Sequence, residues 1–110
     1  MTTRSSTLWV TTLQGKLSGI LYTSPGNTVT LVKDILAETY SFPNTVTFYV
    51  FRQGAAGVTL TRFSTTGTTP LFAQWQGWVV LEPGDYVQVN WDNGAVATWG
   101  SGALLPVGST

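Results

Sequence analysis

The feature that most constrains the fold is a succession of short runs rich in β-branched and aromatic residues, each bounded by turn-forming residues. TLWVTTL, NTVTFYVF and LFAQWQGWVVL are examples. About eight such runs follow one another at intervals of roughly 8 to 12 residues, which is typical of an antiparallel sandwich. We therefore expect one all-β domain over residues 1–110, an antiparallel β-sandwich or jelly roll of about eight strands. A flexible start (1–6) and a C-terminal arm (103–110) complete the predicted organisation.

One segment shows a helix-like pattern. LVKDILAETY has apolar residues at positions 31, 32, 35 and 36, a spacing that also fits an amphipathic helix. The strand-like run NTVT leads directly into it. We predict a strand with a bulge or twist near Lys33 and Asp34.

Three turn signals, SPGN, EPGD and DNG, separate later strands. Proline presets φ for the first central position of a turn, and glycine accepts positive φ at the second. SPGN therefore predicts a hairpin over residues 16–36, and EPGD predicts a tight reversal. DNG predicts another hairpin, because Asn-Gly accepts positive φ at both central positions. The predicted turn-forming residues are Pro25, Gly26, Pro83, Gly84, Asp85, Asn93 and Gly94.

The composition excludes several kinds of covalent, metal and catalytic chemistry. The chain has no Cys and no His, which leaves no disulfide, no thiolate zinc site and no imidazole catalysis. The five basic residues are scattered, so no stripe predicts nucleic-acid binding. No apolar run approaches the roughly 18 to 20 residues of a membrane helix. We expect no cofactor, no metal and no nucleic-acid or membrane partner.

The stretch VVLEPGDYVQVNWDNG places carboxylates beside aromatic rings. Glu82 and Asp85 could form a glycosidase pair, since such pairs lie roughly 5 to 9.5 Å apart. Asp85, Asp92 and Asn93 could contribute to a calcium site, although no alternating ligand loop is present. Turn formation explains the same residues more simply, so the sequence favours a protein that is not an enzyme.

Charge and tryptophan content indicate a binding role. Charged residues make up 9% of the chain, against roughly 25% in typical domains. The chain has five tryptophans, and Trp75 and Trp78 lie on opposite faces of one predicted strand. Tryptophan is enriched in interface hot spots, and its flat ring can also stack on a sugar. We predict an assembly interface at Trp9, Tyr49, Phe51, Trp75 and Trp78, with a carbohydrate-binding module as the alternative.

Parts of the sequence resemble small virion proteins of tailed bacteriophages. The resemblance lies in LYTSPGNTVTLVKDILAETYSFPNTVTFYVF, GWVVLEPGDYVQV and GAVATWGSGALL, over roughly residues 20 to 105. Gly26 stands where the family pattern usually has alanine. The matching residues are Tyr22, Thr23, Pro25, Val32, Lys33, Ile35, Val46, Leu81, Pro83, Gly84, Asp85, Val89, Ser101 and Gly102.

This resemblance implies a structural role on the virus particle. It implies a capsid decoration (cement) protein that binds the assembled shell, or another head- or tail-associated component. It further implies a homo-oligomer, a trimer, whose partner is the major capsid protein or another virion protein. The expected location is the virion, assembled in the host cytoplasm. The family does not look catalytic, in agreement with the composition.

Overall fold

The computed structural model describes residues 6–15, 17–65 and 70–106. The described residues form eight strands: β1 (Ser6–Gln14), β2 (Ser18–Thr23), β3 (Thr28–Thr39), β4 (Asn44–Phe51), β5 (Val58–Thr65), β6 (Leu71–Leu81), β7 (Tyr86–Asn90) and β8 (Ala95–Pro106). They contain no helix long and apolar enough to cross a membrane.

The strands form two four-stranded sheets. Sheet A has the order β1-β8-β3-β6, and sheet B has the order β2-β7-β4-β5. All the strand pairs are antiparallel. Every connection crosses from one sheet to the other except β4–β5, an arrangement that is the topology of a jelly roll. The predicted all-β sandwich of about eight strands is confirmed.

The core lies between the two sheets and follows the period-two alternation of the strands. The fully buried residues include Val46 and Phe48 of β4 and Val87 and Val89 of β7. The residues that alternate with them along each strand point away from the core. Burying such a side chain contributes roughly 1.5 to 3 kcal/mol. Sheet A closes the core from the other side with Trp9, Val32, Ile35, Ala37, Leu71, Leu81 and Val96.

The bulge predicted near Lys33 and Asp34 is confirmed. The register of β3 shifts between Val32 and Asp34 against both β6 and β8. Val32 and Ile35 are both fully buried, although they are three residues apart and a regular strand would place them on opposite faces. The bulge resolves this conflict, and it explains why the segment has a helix-like spacing.

A turn forms at Pro25-Gly26, but the hairpin predicted over residues 16–36 is wrong. β2 pairs with β7, whereas β3 pairs with β6 and β8. The Thr28 N–H donates to the Pro25 carbonyl (3.0 Å), so Pro25 is the first residue of the turn rather than the second. Gly26 has no positive φ. This turn carries the chain from sheet B to sheet A.

The other two turns also connect different sheets. In EPGD, the Asp85 N–H donates to the Glu82 carbonyl (3.0 Å) and Gly84 has φ +91°, as a turn with Pro-Gly at its centre requires. In DNG, Gly94 has φ +64° but Asn93 has no positive φ. The hairpin predicted at Asn93-Gly94 is therefore wrong, because β7 belongs to sheet B and β8 to sheet A.

The predicted terminal segments need correction. Strand β8 continues through Pro106 and pairs with β3 as far as Thr28, so residues 103–106 are part of sheet A rather than an arm. At the other end, Ser6 already belongs to β1. The remaining parts of the two predictions, residues 1–5 and 107–110, lie outside the described residues.

Candidate functional site

The carboxylate of Asp85 has a structural role in the fold. Asp85 is only 3% exposed, and its oxygens accept hydrogen bonds from the Glu82 N–H (3.0 Å), the Gln53 N–H (3.2 Å) and the Arg52 Nη1 (3.0 Å). The Arg52 guanidinium also donates to the Val80 carbonyl (2.8 Å). Asp85 thus fastens the EPGD turn to the residues that follow β4, which supports the interpretation of this carboxylate as a turn former.

The acidic residues were also candidates for a metal site. Across the three described ranges, no group of three or more His, Cys, Asp or Glu side chains could hold a metal ion. The outer surfaces of the sandwich carry exposed large apolar side chains.

Two of the predicted interface residues face the core. Trp9 is 6% exposed, its indole Nε1 donates to Thr98 Oγ1 (3.2 Å), and its ring covers Gly100, where an added Cβ would collide with it. Trp75 is half-buried and packs against the core from the inner face of β6. The alternation of β6 is as predicted, and Trp75 is its inward tryptophan. Burial in the core goes against the interface prediction for Trp9, whereas the interface role of Trp75, which is only half-buried, stays a prediction.

Tyr49 and Phe51 lie on the outer face of sheet B. The Tyr49 and Phe51 ring centroids are 6.2 Å apart, and Phe51 stacks on Tyr86 at 5.0 Å with an interplanar angle of 7°. We call these three half-buried residues the aromatic ladder. The exposed side chain of Ile20 lies on the same face, because Ile20 pairs with Gln88 and Gln88 pairs with Tyr49. This face combines aromatic and aliphatic surface.

Trp78 lies on the opposite side of the molecule, on the outer face of sheet A. Its side chain is 67% exposed, and the Lys33 Nζ lies 4.9 Å from the ring centroid. β6 is an edge strand of sheet A, so Trp78 stands at the side of the sandwich. The predicted interface residues thus divide between the core and two separate surfaces.

A concavity of about 560 Å³ occupies the middle of the outer face of sheet A. Trp99 of β8 lies in its floor, and its neighbours across the sheet are Val10 of β1 and Leu36 of β3. Phe72 of β6 lines the same concavity and is exposed. Its ring meets that of Tyr40 edge to face at 5.7 Å.

The interface predictions did not include Trp99. The signal for it is the alternation of β8, in which Val96 and Thr98 are fully buried and Trp99 takes the other face. Its position in a concavity depends on strands that are far apart in the sequence.

Polar side chains surround this apolar floor. The Asp34 carboxylate accepts from Gln74 Nε2 and from Ser101 Oγ, both at 3.4 Å. Glu38 also lines the concavity, and a hydrogen bond with its carboxylate raises the pKa of the Tyr40 phenol. The concavity therefore presents carboxylate, amide and hydroxyl groups around an indole ring.

Comparison with known proteins finds likeness in structure alone. No protein-family model matches the chain, and no curated protein matches it. Among solved structures, a chain in the structure of infectious bursal disease virus, Gx strain, has a TM-score of 0.51 and 10% identity over 99% of this chain. A chain of the Gt strain has a TM-score of 0.48 and 13% identity over 97% of this chain.

This chain spans about a third of those viral chains, 33% of the first and 32% of the second. At 10% identity the likeness to the Gx strain structure shows a shared β-fold, and that fold is found in a virus structure.

Proposed function

We propose that this protein is a non-catalytic structural component of a virus particle, a decoration (cement) protein that binds the assembled shell of a tailed bacteriophage. The observation that carries the proposal is the exposure of large apolar side chains on both outer faces of a sandwich in which 9% of residues are charged. Contiguous apolar surface on a small domain marks sites of interaction. A chain with two such faces is suited to permanent assembly.

The fold supports the same role by analogy. Double-sheet jelly rolls with this strand order recur in viral capsid domains, and also in lectins. The likeness to a chain of a virus structure agrees with this, as does the sequence resemblance to small phage virion proteins.

The two surfaces suit different contacts. The aromatic ladder on sheet B faces the shell, where the partner is the major capsid protein or another virion protein. Trp78 on the edge strand β6 contacts a neighbouring copy, within a trimer. Because the protein binds the assembled shell in preference to its separate subunits, mass action stabilises the shell.

Replacing Trp78 by alanine weakens particle binding by about tenfold or more, because it disrupts the contact between copies and a separate copy binds the shell through one site instead of three. Because the side chain is 67% exposed, the free energy of unfolding falls by no more than about 1 kcal/mol, mainly through the lost cation–π contact. Particle binding is measured by co-sedimentation and stability by urea unfolding.

Trp9→Ala is the matched control, since it removes a buried indole and lowers stability by about 3 to 5 kcal/mol. Loss of soluble folded protein in Trp78→Ala would place Trp78 in the core and contradict its assignment to an interface.

The solution mass of the purified protein tests the oligomer. Light scattering after size exclusion is expected to give the mass of a trimer, which Trp78→Ala shifts toward the monomer. A monomer at all concentrations would contradict the trimer and leave the shell itself as the partner of the exposed faces.

A further inference from the structure

We propose that the concavity on the outer face of sheet A is a binding site for an uncharged saccharide. Its floor is the indole of Trp99 between Val10 and Leu36. This function goes beyond the proposed role in the shell, and the purified chain alone can be used to test it.

The dimensions and lining match those of a ligand site. Its volume of about 560 Å³ falls within the roughly 300 to 1,000 Å³ of small-molecule sites, which are mostly apolar and contain a few placed polar groups. Trp99 is half-buried, and Val10 and Leu36 flank it across the sheet. The negative face of an indole ring attracts the polarised C–H groups on one side of a pyranose.

The polar groups match the other side of a sugar. Carboxylates accept hydrogen bonds from hydroxyl groups, while the Gln74 amide and the Ser101 hydroxyl both donate and accept. The hydrogen bonds that Asp34 accepts from Gln74 and Ser101 are long, 3.4 Å each. Sugar hydroxyls can replace them at little cost, because a bond at this length is already weak.

The charged groups in the lining of the concavity indicate which class of sugar it would bind. The lining contains the carboxyl groups of Asp34 and Glu38, and no Lys or Arg belongs to it within the described ranges. The nearby Lys33 is held over the ring of Trp78. An anionic sugar, such as a sialic acid, a uronate or a sulfated hexose, would meet two like charges. The site therefore selects a neutral saccharide.

The position of the site is compatible with attachment to a shell. Sheet A and sheet B present their outer faces in opposite directions, so a copy that binds the shell through the aromatic ladder points the concavity away from it. Many copies on one particle would then turn a weak single-site affinity into firm attachment.

The test is a titration of the purified protein with soluble short oligomers of glucose, galactose and N-acetylglucosamine, with sialylated and sulfated oligomers alongside. Tryptophan fluorescence and calorimetry report binding. We expect saturable binding of at least one neutral oligomer and none of the anionic ones. Trp99→Ala weakens that binding by about tenfold or more.

Two further variants make the result specific. Gln74→Ala removes an exposed side chain, so it leaves the fold intact even if Trp99→Ala does not fold, and it is expected to weaken binding severalfold. Val58→Ala removes an exposed apolar side chain of strand β5 in sheet B, outside the concavity, and is expected to bind as the unmodified protein does.

Three outcomes would overturn the proposal: no binding of any neutral oligomer, binding of the anionic oligomers alone, or binding unaffected by both Trp99→Ala and Gln74→Ala. A change in oligomeric state would overturn the proposal as well. If the protein self-associates, binds no sugar and becomes monomeric in Trp99→Ala, the concavity is a contact with a second copy. None of these results bears on binding to the shell, which is measured with particles and the Trp78→Ala variant.

Discussion

Replacing Gly102 by alanine lowers the free energy of unfolding by about 3 kcal/mol or more, or prevents folding. An added Cβ would collide with the carbonyl oxygen of Leu31 and lie 3.1 Å from the Cα of Val32. Gly102 pairs with Val32 directly beside the bulge of β3, so the obstacle is backbone that cannot rotate away. The measurement is the urea unfolding transition of the variant.

Gly26→Ala is the control. A Cβ at Gly26 meets nothing within 4 Å, and its φ is not positive, so stability is unchanged or rises by about 0.4 to 1 kcal/mol. If Gly102→Ala unfolded at the same urea concentration as the unmodified protein, the close approach of β8 to β3 at the bulge would be refuted.

Replacing Asp85 by alanine costs about 3 kcal/mol of stability. The change removes the acceptor of the Gln53 and Glu82 N–H groups, both partly buried, and a hydrogen bond to a charged group contributes roughly 1.5 to 3 kcal/mol. The ion pair contributes less, because the Arg52 side chain is 47% exposed and water can replace its partner. Thermal and urea unfolding measure the loss.

Asp92→Ala provides the comparison for Asp85, since Asp92 is exposed in the DNG turn. We expect a change within about 0.5 kcal/mol, as for other surface positions. Equal effects of the two substitutions would contradict the structural role assigned to the Asp85 carboxylate.

The strands and the bulge could be predicted because both depend on local patterns. The runs NTVTFYVF and LFAQWQGWVVL coincide with β4 and β6, since alternating β-branched and aromatic residues suit a pleated surface. The buried pair Val32 and Ile35, three residues apart, requires a bulge in any strand. These features need no knowledge of the partner strand.

The pairing of the strands could not be predicted in the same way. Pro83-Gly84 and Asn93-Gly94 do reverse the chain, but a turn does not determine whether the next strand joins the same sheet or crosses to the other one. In this protein β2 pairs with β7, and β1 with β8. These contacts between distant segments decide the jelly-roll topology.

The candidate sites could be predicted only in part, because they too depend on contacts between distant segments. Alternation placed Trp75 and Trp78 on opposite faces, but it did not determine which face was the core. Trp9 looked like a contact residue, although Gly100 on the neighbouring strand leaves space for its ring. The concavity around Trp99 joins β1, β3, β6 and β8, so it exists only after the sheet has assembled.

Co-sedimentation with virus particles is the decisive test of the proposed binding to an assembled shell. Purified protein is mixed with assembled shells of the phage that encodes it under the proposed function, and separately with their unassembled subunits, and the bound protein is quantified. We expect saturable binding to the shells, with little to the unassembled subunits and a loss in Trp78→Ala. Absence of binding to the shells, or equal binding to the unassembled subunits, would contradict the claim.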